Sequence, residues 1–284
     1  RGYQSVPEGL LLRPSIPSAR YLGVGSKYGP LPNFKVAVRE LPHHGRFRVT
    51  VRAACCDDLL VVPPGSEEEH QGDELVASRS EDQAATDRWQ ATVAQAGVYL
   101  VWVMLAGVDP KPPQADGQPA AESHEIAVAI TSEGTTRRVT ARWMQPSFAA
   151  VRLPAGEVAV QAHYAGPETI DQLHLLRLPD DDPLSLRLAA MQQRRPWLGV
   201  HLGLRRDCGS TLALVGPPQR VDSGQLHDYV FEGAIANFPD PQVEAGNPNY
   251  LAGLREIAVR SEYTSDRDMP RLLVKSVEFE GPLY

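Results

Sequence analysis

The chain has 284 residues, a formal net charge of -7 and 42% hydrophobic residues. That is enough to bury a substantial core and points to two domains. An acidic balance without a clustered basic excess excludes a nucleic-acid surface. The longest apolar run, Val98 to Val108, is shorter than the about 20 residues that cross a bilayer as a helix, so no membrane span is expected.

Pro (25) and Gly (23) are spread along the chain, which suits many short strands joined by turns better than long helices. The three cysteines, Cys55, Cys56 and Cys208, form no disulfide framework. One bridge from Cys208 to either member of the adjacent pair fits if the chain is exported, and three reduced, partly buried thiols are the alternative. There is no Cys-x-x-Cys-His, so no haem is attached in this chain. The chain begins at Arg1 without Met and without a signal peptide, which predicts a piece processed or excised from something larger.

Residues 1 to 33 are punctuated by Pro and Gly and predict an extended arm laid over the first sheet. Phe34 to Leu41 and Gly45 to Ala54 predict strands joined by the turn Leu41-Pro-His-His-Gly45. Residues 63 to 74 form an acidic, turn-rich loop suited to a domain crossing.

Residues 76 to 178 hold seven or so short strands with alternating patterns, which argues for an antiparallel sandwich. Asp180-Asp-Asp-Pro183 before an apolar run ending at Arg194-Arg195-Pro196 predicts a short connecting helix. Strands follow at Trp197 to Leu204, Thr211 to Val215, Tyr229 to Ile235 and Leu254 to Tyr263. The last runs from Pro270 to Pro282, with Leu273, Lys275, Val277 and Phe279 expected on one face and Leu272, Val274, Ser276 and Glu278 on the other. It is expected to close a sheet begun by the early strands. The fold class that follows is all-β: two antiparallel β-sandwiches, one made of 1–75 plus 183–284 and the second, 76–182, inserted into the first.

Several phrases in the inserted unit resemble jelly-roll carbohydrate-binding modules. They are Ala96-Gly-Val-Tyr99 entering an early strand, Leu153-Pro-Ala-Gly156 entering a late one, and Ile170-Asp171-Gln-Leu173 in the final strand. The first unit echoes the scheme with His44-Gly-Arg-Phe47, although Lys275 stands where the module's Asp would be. Longer phrases, Leu22 to Phe34, Gly199 to Ser210, and Ile257 to Thr264 through Gly281-Pro282, resemble the central region of large exported planctomycetal cytochrome-like proteins. That resemblance implies a periplasmic or cell-surface location and partner domains in the same parent protein, one with c-type haem and others helical. It implies no reaction, and the chain is expected to be no enzyme.

Sugar binding uses aromatic platforms with a few carboxylates and amides. The expected carbohydrate-binding residues are Asn237, Asp240, Asn247, Asn249, Tyr250, Glu262 and Tyr263, with Trp197 also a candidate platform. Asp266 and Asp268 are candidate oxygen ligands for calcium. The partner is then a polysaccharide or glycan; the alternative is a structural scaffold that positions redox domains. His201, Asp207 and Cys208 suggest a nucleophile site, against which His201 also fits a satisfied core histidine. His43-His44 with Cys55-Cys56 is a weaker metal candidate, since adjacent pairs chelate one ion poorly.

Overall fold

The computed structural model describes residues 3–14, 34–38, 41–62, 70–79, 87–106, 124–143, 147–167, 169–204, 212–238, 255–262 and 268–284. The fold is all-β, built of antiparallel sheets arranged as sandwiches, with one α-helix among the described residues. The chain divides into two compact units, Arg1–Asp57 with Gln193–Tyr284, and Asp58–Gln192. These divisions lie away from the expected 75/76 and 182/183. Strands and a helix assigned by sequence to the outer unit pair and pack with the inner one, as follows.

In the outer unit, β1 (Tyr3–Val6) and β2 (Gly9–Leu12) form a hairpin, so the start of the expected irregular arm is regular strand. The sheet continues through β20 (Leu272–Leu283), β4 (Arg46–Cys55) and β18 (His227–Ala234), in the order β1-β2-β20-β4-β18. The C-terminal strand thus pairs with β4 across most of the chain. The second sheet runs β16 (Leu212–Leu214), β15 (Trp197–Leu204), β19 (Arg255–Ser261) and β3 (Phe34–Val38), with β17 (Gln219–Arg220) also on β15. β3 and β4 therefore make no hairpin; the segment between them passes from one sheet to the other.

Alternation explains the core. Phe47, Val49, Val51 and Ala53 of β4 point inward with Leu198, Val200 and Leu202 of β15 and Ile257 and Val259 of β19. The C-terminal strand departs from strict alternation. Leu272 and Val274 are buried in this core, but Val277 and Phe279, of opposite parity, also pack against it. A register shift between Val274 and Ser276 is the reason: a bulge adds one residue and reverses the faces beyond it.

The inner unit packs two five-stranded sheets. One comprises β7 (Ser78–Arg79), β8 (Arg88–Val93), β10 (His124–Ser132), β11 (Thr135–Trp143) and β13 (Gly156–Tyr164), ordered β11-β10-β13-β8-β7. The other comprises β5 (Leu60–Val61), β6 (Asp73–Val76), β9 (Gly97–Leu105), β12 (Ser147–Leu153) and β14 (Ile170–Leu178), ordered β5-β12-β9-β14-β6. Residues 60–61 and 73–75 thus pair with β12 and β14 of this unit.

The helix α1 (Pro183–Gln192) packs on the outer face of that second sheet. Leu184, Leu188 and Met191, at i, i+4 and i+7, meet Leu60, Val62, Val98, Leu100, Leu176 and Leu178. Val98 and Leu100 face the helix while Tyr99, Val101 and Val103 face the sandwich core. Burial on both faces explains why β9 is apolar without interruption. Asp182 caps the helix: its Oδ1 accepts from Leu184 N at 2.8 Å, and its Oδ2 lies 2.8 Å from His70 Nδ1.

Candidate functional site

β15 and the end of β19 carry a face with buried polar side chains, His201 and Arg260. Leu198, Val200 and Leu202 point into the core, so Trp197, Gly199 and His201 share the opposite face. On β19, Arg260 pairs with Gly199 and Ala258 with His201, which puts both on that outward face. Glu262 follows, and its N–H donates to Trp197 O at 2.7 Å, carrying the strand pairing one residue beyond β19.

The side chains converge. Glu262 Oε1 lies 3.0 Å from His201 Nε2, and Glu262 Oε2 lies 3.4 Å from Arg260 Nε. His201 and Arg260 are 3% and 5% exposed. Gly199 makes the arrangement possible, because a Cβ there would sit 1.9 Å from Glu262 Oε1. The carboxylate therefore lies across the space that a side chain at 199 would fill.

Burial, with Arg260 beside it, lowers the His201 pKa to about 4. The imidazole is neutral at pH 7, donates through Nε2–H to Glu262, and leaves Nδ1 without a hydrogen-bond partner. Burial likewise lowers the Arg260 pKa, and Glu262 opposes that shift.

At the open end of this face Trp197 is 46% exposed. The Glu262 side chain retains 19% exposure. Trp197 and Glu262 are thus cross-strand neighbours, joined by the backbone hydrogen bond between them. Opposite Trp197 on β17, Arg220 Nε pairs with Asp222 Oδ1 at 2.8 Å.

Of the residues expected from sequence to bind carbohydrate, Asp240, Asn247, Asn249, Tyr250 and Tyr263 lie outside the described residues, as do Asp207, Cys208 and Asp266. Asn237 ends the 3-10 turn after β18, where Ala234 pairs with Arg46. Asp268 precedes β20, whose Leu272 pairs with Cys55 at the other end of β4. The ten residues of β4 span about 30 Å, so Asn237 and Asp268 sit at opposite ends of one sheet. The structure does not bring those two residues together.

Asp268 offers its carbonyl oxygen to Arg194 Nη1 at 2.6 Å. Among the described residues no three His, Cys, Asp or Glu side chains gather as a metal site. Cys55 is buried, and its Sγ–H donates to Cys56 O at 3.7 Å. Asp58 is buried and accepts from Leu59 N.

Sequence reasoning singled out Trp197, His201 and Glu262 separately and missed Gly199 and Arg260. The available signal was alternation: in Trp197-Leu-Gly-Val-His201 the odd positions share one face, and the glycine leaves room on it. No protein-family model matches the chain, and no curated protein matches it.

Proposed function

We propose that the chain is a non-catalytic carbohydrate-binding module that engages glycan at the Trp197 and Glu262 edge of β15. One observation carries the reading: an exposed indole stands beside a carboxylate held in place by His201 and Arg260. A pyranose can lay its apolar C–H face on the indole while a hydroxyl donates to Glu262. The all-β sandwich fold supports this reading. The likeness of residues 20 to 54 and 195 to 284 to exported cytochrome-like proteins supports a periplasmic or cell-surface setting beside a c-type haem domain of a parent protein.

Affinity electrophoresis through gels cast with xylan, galactomannan or hydroxyethylcellulose tests it. The chain should be retarded by at least one polysaccharide. Trp197→Ala should abolish retardation and leave stability within about 0.5 kcal/mol, since substitutions at exposed positions rarely cost more. Passage of the unaltered chain through every gel without retardation would transfer the case to a scaffold that positions redox domains.

A further inference from the structure

The row of residues that crosses the sheet at Trp197 extends to both sides of it. Trp197 of β15 pairs with Arg220 of β17. On the other side the Glu262 N–H donates to Trp197 O, one step beyond the pair of Leu198 with Ser261. Residues opposite one another on antiparallel strands share a face, with Cβ atoms about 5 Å apart. Arg220, Trp197 and Glu262 therefore form one row on the outward face, in the order cation, indole, carboxylate.

The two ends of the row differ. Both oxygens of Glu262 are engaged, Oε1 with His201 and Oε2 with Arg260, and the side chain is only 19% exposed. Its charge is met by the buried Arg260 cation. Arg220 is the open end, with its side chain 56% exposed. Among the described residues its ion pair is with Asp222, which meets the guanidinium at Nε, 2.8 Å from Oδ1. One carboxylate cannot use all five N–H donors of a guanidinium, so donors remain for a ligand. With Nε taken, the terminal pair Nη1 and Nη2 is the edge left to grip a second carboxylate through parallel hydrogen bonds.

Resting on the reading of Trp197 as a glycan platform, we propose that the ligand is an acidic glycan built of uronic-acid units, and that Arg220 selects it. A uronate pyranose carries a carboxylate on one edge, hydroxyls on the opposite edge and an apolar C–H face between them. Laid on the indole, such a ring turns its carboxylate to Arg220 while a hydroxyl donates to Glu262. Neighbouring strands lie about 4.8 Å apart, so the two partners flank the ring from opposite sides. A neutral hexose covers the same indole but leaves Arg220 to water. An amino sugar brings an ammonium against the guanidinium. The chain carries a net charge of -7, so its overall field opposes an anionic polymer and the selectivity comes from this one contact.

The indole N–H resonance of Trp197 in a proton–nitrogen correlation spectrum of the whole chain reads the binding, assigned by its loss in Trp197→Phe. The acidic probes are the hexamers of galacturonate, mannuronate and guluronate. The neutral ones are cellohexaose, xylohexaose, mannohexaose and the methyl ester of the galacturonate hexamer. Dextran sulfate supplies anionic charge without a carboxylate. The signal should move saturably with at least one uronate hexamer, about tenfold or more tighter than with any neutral probe, the worth of a charge-assisted hydrogen bond. Arg220→Gln should bring the uronates down to the level of the neutral probes. Arg220→Lys keeps the charge but loses the fork, and should recover only part of the advantage. Neutral oligosaccharides that bind as tightly as the uronates overturn the acidic ligand and leave the glycan platform standing. Dextran sulfate that binds as tightly overturns the carboxylate. A signal that stays still with every probe overturns the platform, and this inference falls with it. A melting curve of Arg220→Gln matching the unaltered chain shows that lost binding is not lost folding.

Discussion

His201 donates its only N–H to Glu262: Nε2 lies 3.0 Å from Oε1, and the second nitrogen has no partner. Such a pair holds a carboxylate still without adding a positive charge. Arg260 on the neighbouring strand supplies that charge at Oε2. The two contacts fix the orientation of the Glu262 carboxylate.

The neutral imidazole makes the outer unit acid-sensitive. In the unfolded chain His201 takes a proton near pH 6.5, whereas in the fold it does so only near pH 4. The folded pKa lies below the unfolded one, so between those values the unfolded state binds more protons. Stability is therefore full above pH 6.5 and falls as the pH drops toward 4, where the loss levels off at about 3 kcal/mol from this group. Melting curves at pH 7 and pH 4.5 should show a larger drop for the unaltered chain than for His201→Gln. Equal drops would remove His201 from the account of acid sensitivity.

Gly199→Ala tests the packing of the same carboxylate. Its Cβ would fall 1.9 Å from Glu262 Oε1, and a glutamate tip can swing aside more readily than backbone can move. The expected result is a folded protein in which Glu262 has left His201. With Nε2–H then unmet in a buried site, stability should fall by about 1–3 kcal/mol. Polysaccharide retardation should fall along with it. Unchanged stability would mean that Glu262 reaches His201 by another route.

The inner unit gives a fragment test. Residues 58–192 include β5, β6 and α1, whereas residues 76–182 lack β5, nearly all of β6 and the whole helix. The shorter piece loses Leu60, Val62, Leu184, Leu188 and Met191 and leaves Val98, Leu100, Leu176 and Leu178 uncovered. Each such side chain contributes about 2 kcal/mol of burial, and together they rival the net stability of a whole domain. The longer fragment should melt cooperatively when expressed alone, and the shorter should aggregate or bind hydrophobic dye without a transition. Two equally cooperative fragments would show that the helix layer adds little. Within the longer fragment Leu188→Ala should cost about 2–5 kcal/mol, because Leu188 is fully buried between helix and sheet.

Strand content was legible because alternation records which face is buried, as in Phe47, Val49 and Val51 of β4. The partner of β3 was not legible. A short link such as Leu41 to Gly45 fits a hairpin or a passage between sheets, and only the partner strands decide. The layer that α1 covers was half legible: β9 showed the unbroken apolar run of a doubly buried strand, but nothing local said that a distant helix covers it. The Trp197 and Glu262 edge was legible one residue at a time. Its geometry depends on Gly199 and Arg260, whose bearing on Glu262 appears only once β15 and β19 are paired. The faces of β20 failed because period-2 counting assumes an unbroken ladder, and the bulge breaks it.

That bulge makes a deletion near the middle of a strand survivable. Val274 pairs with Ala53 and Ser276 with Arg52, which are consecutive on β4, so Lys275 is the surplus residue. Removing it joins two residues already in register with consecutive partners. Leu272 and Val274 stay inward on one side, and Val277 and Phe279 stay inward on the other. The cost should be confined to local twist, about 1–2 kcal/mol, within the ordinary range for a single change. Removing Glu278 instead shifts Phe279 to a position whose side chain faces out. The ring then loses its stack on Phe47, now at 5.7 Å between centroids, along with its cover over the core. That deletion should cost about 3 kcal/mol or more, as a lost core phenylalanine does. Urea titrations of the two single-residue deletions decide the matter. Equal midpoints, or a lower midpoint for the chain lacking Lys275, would place the register shift elsewhere in β20.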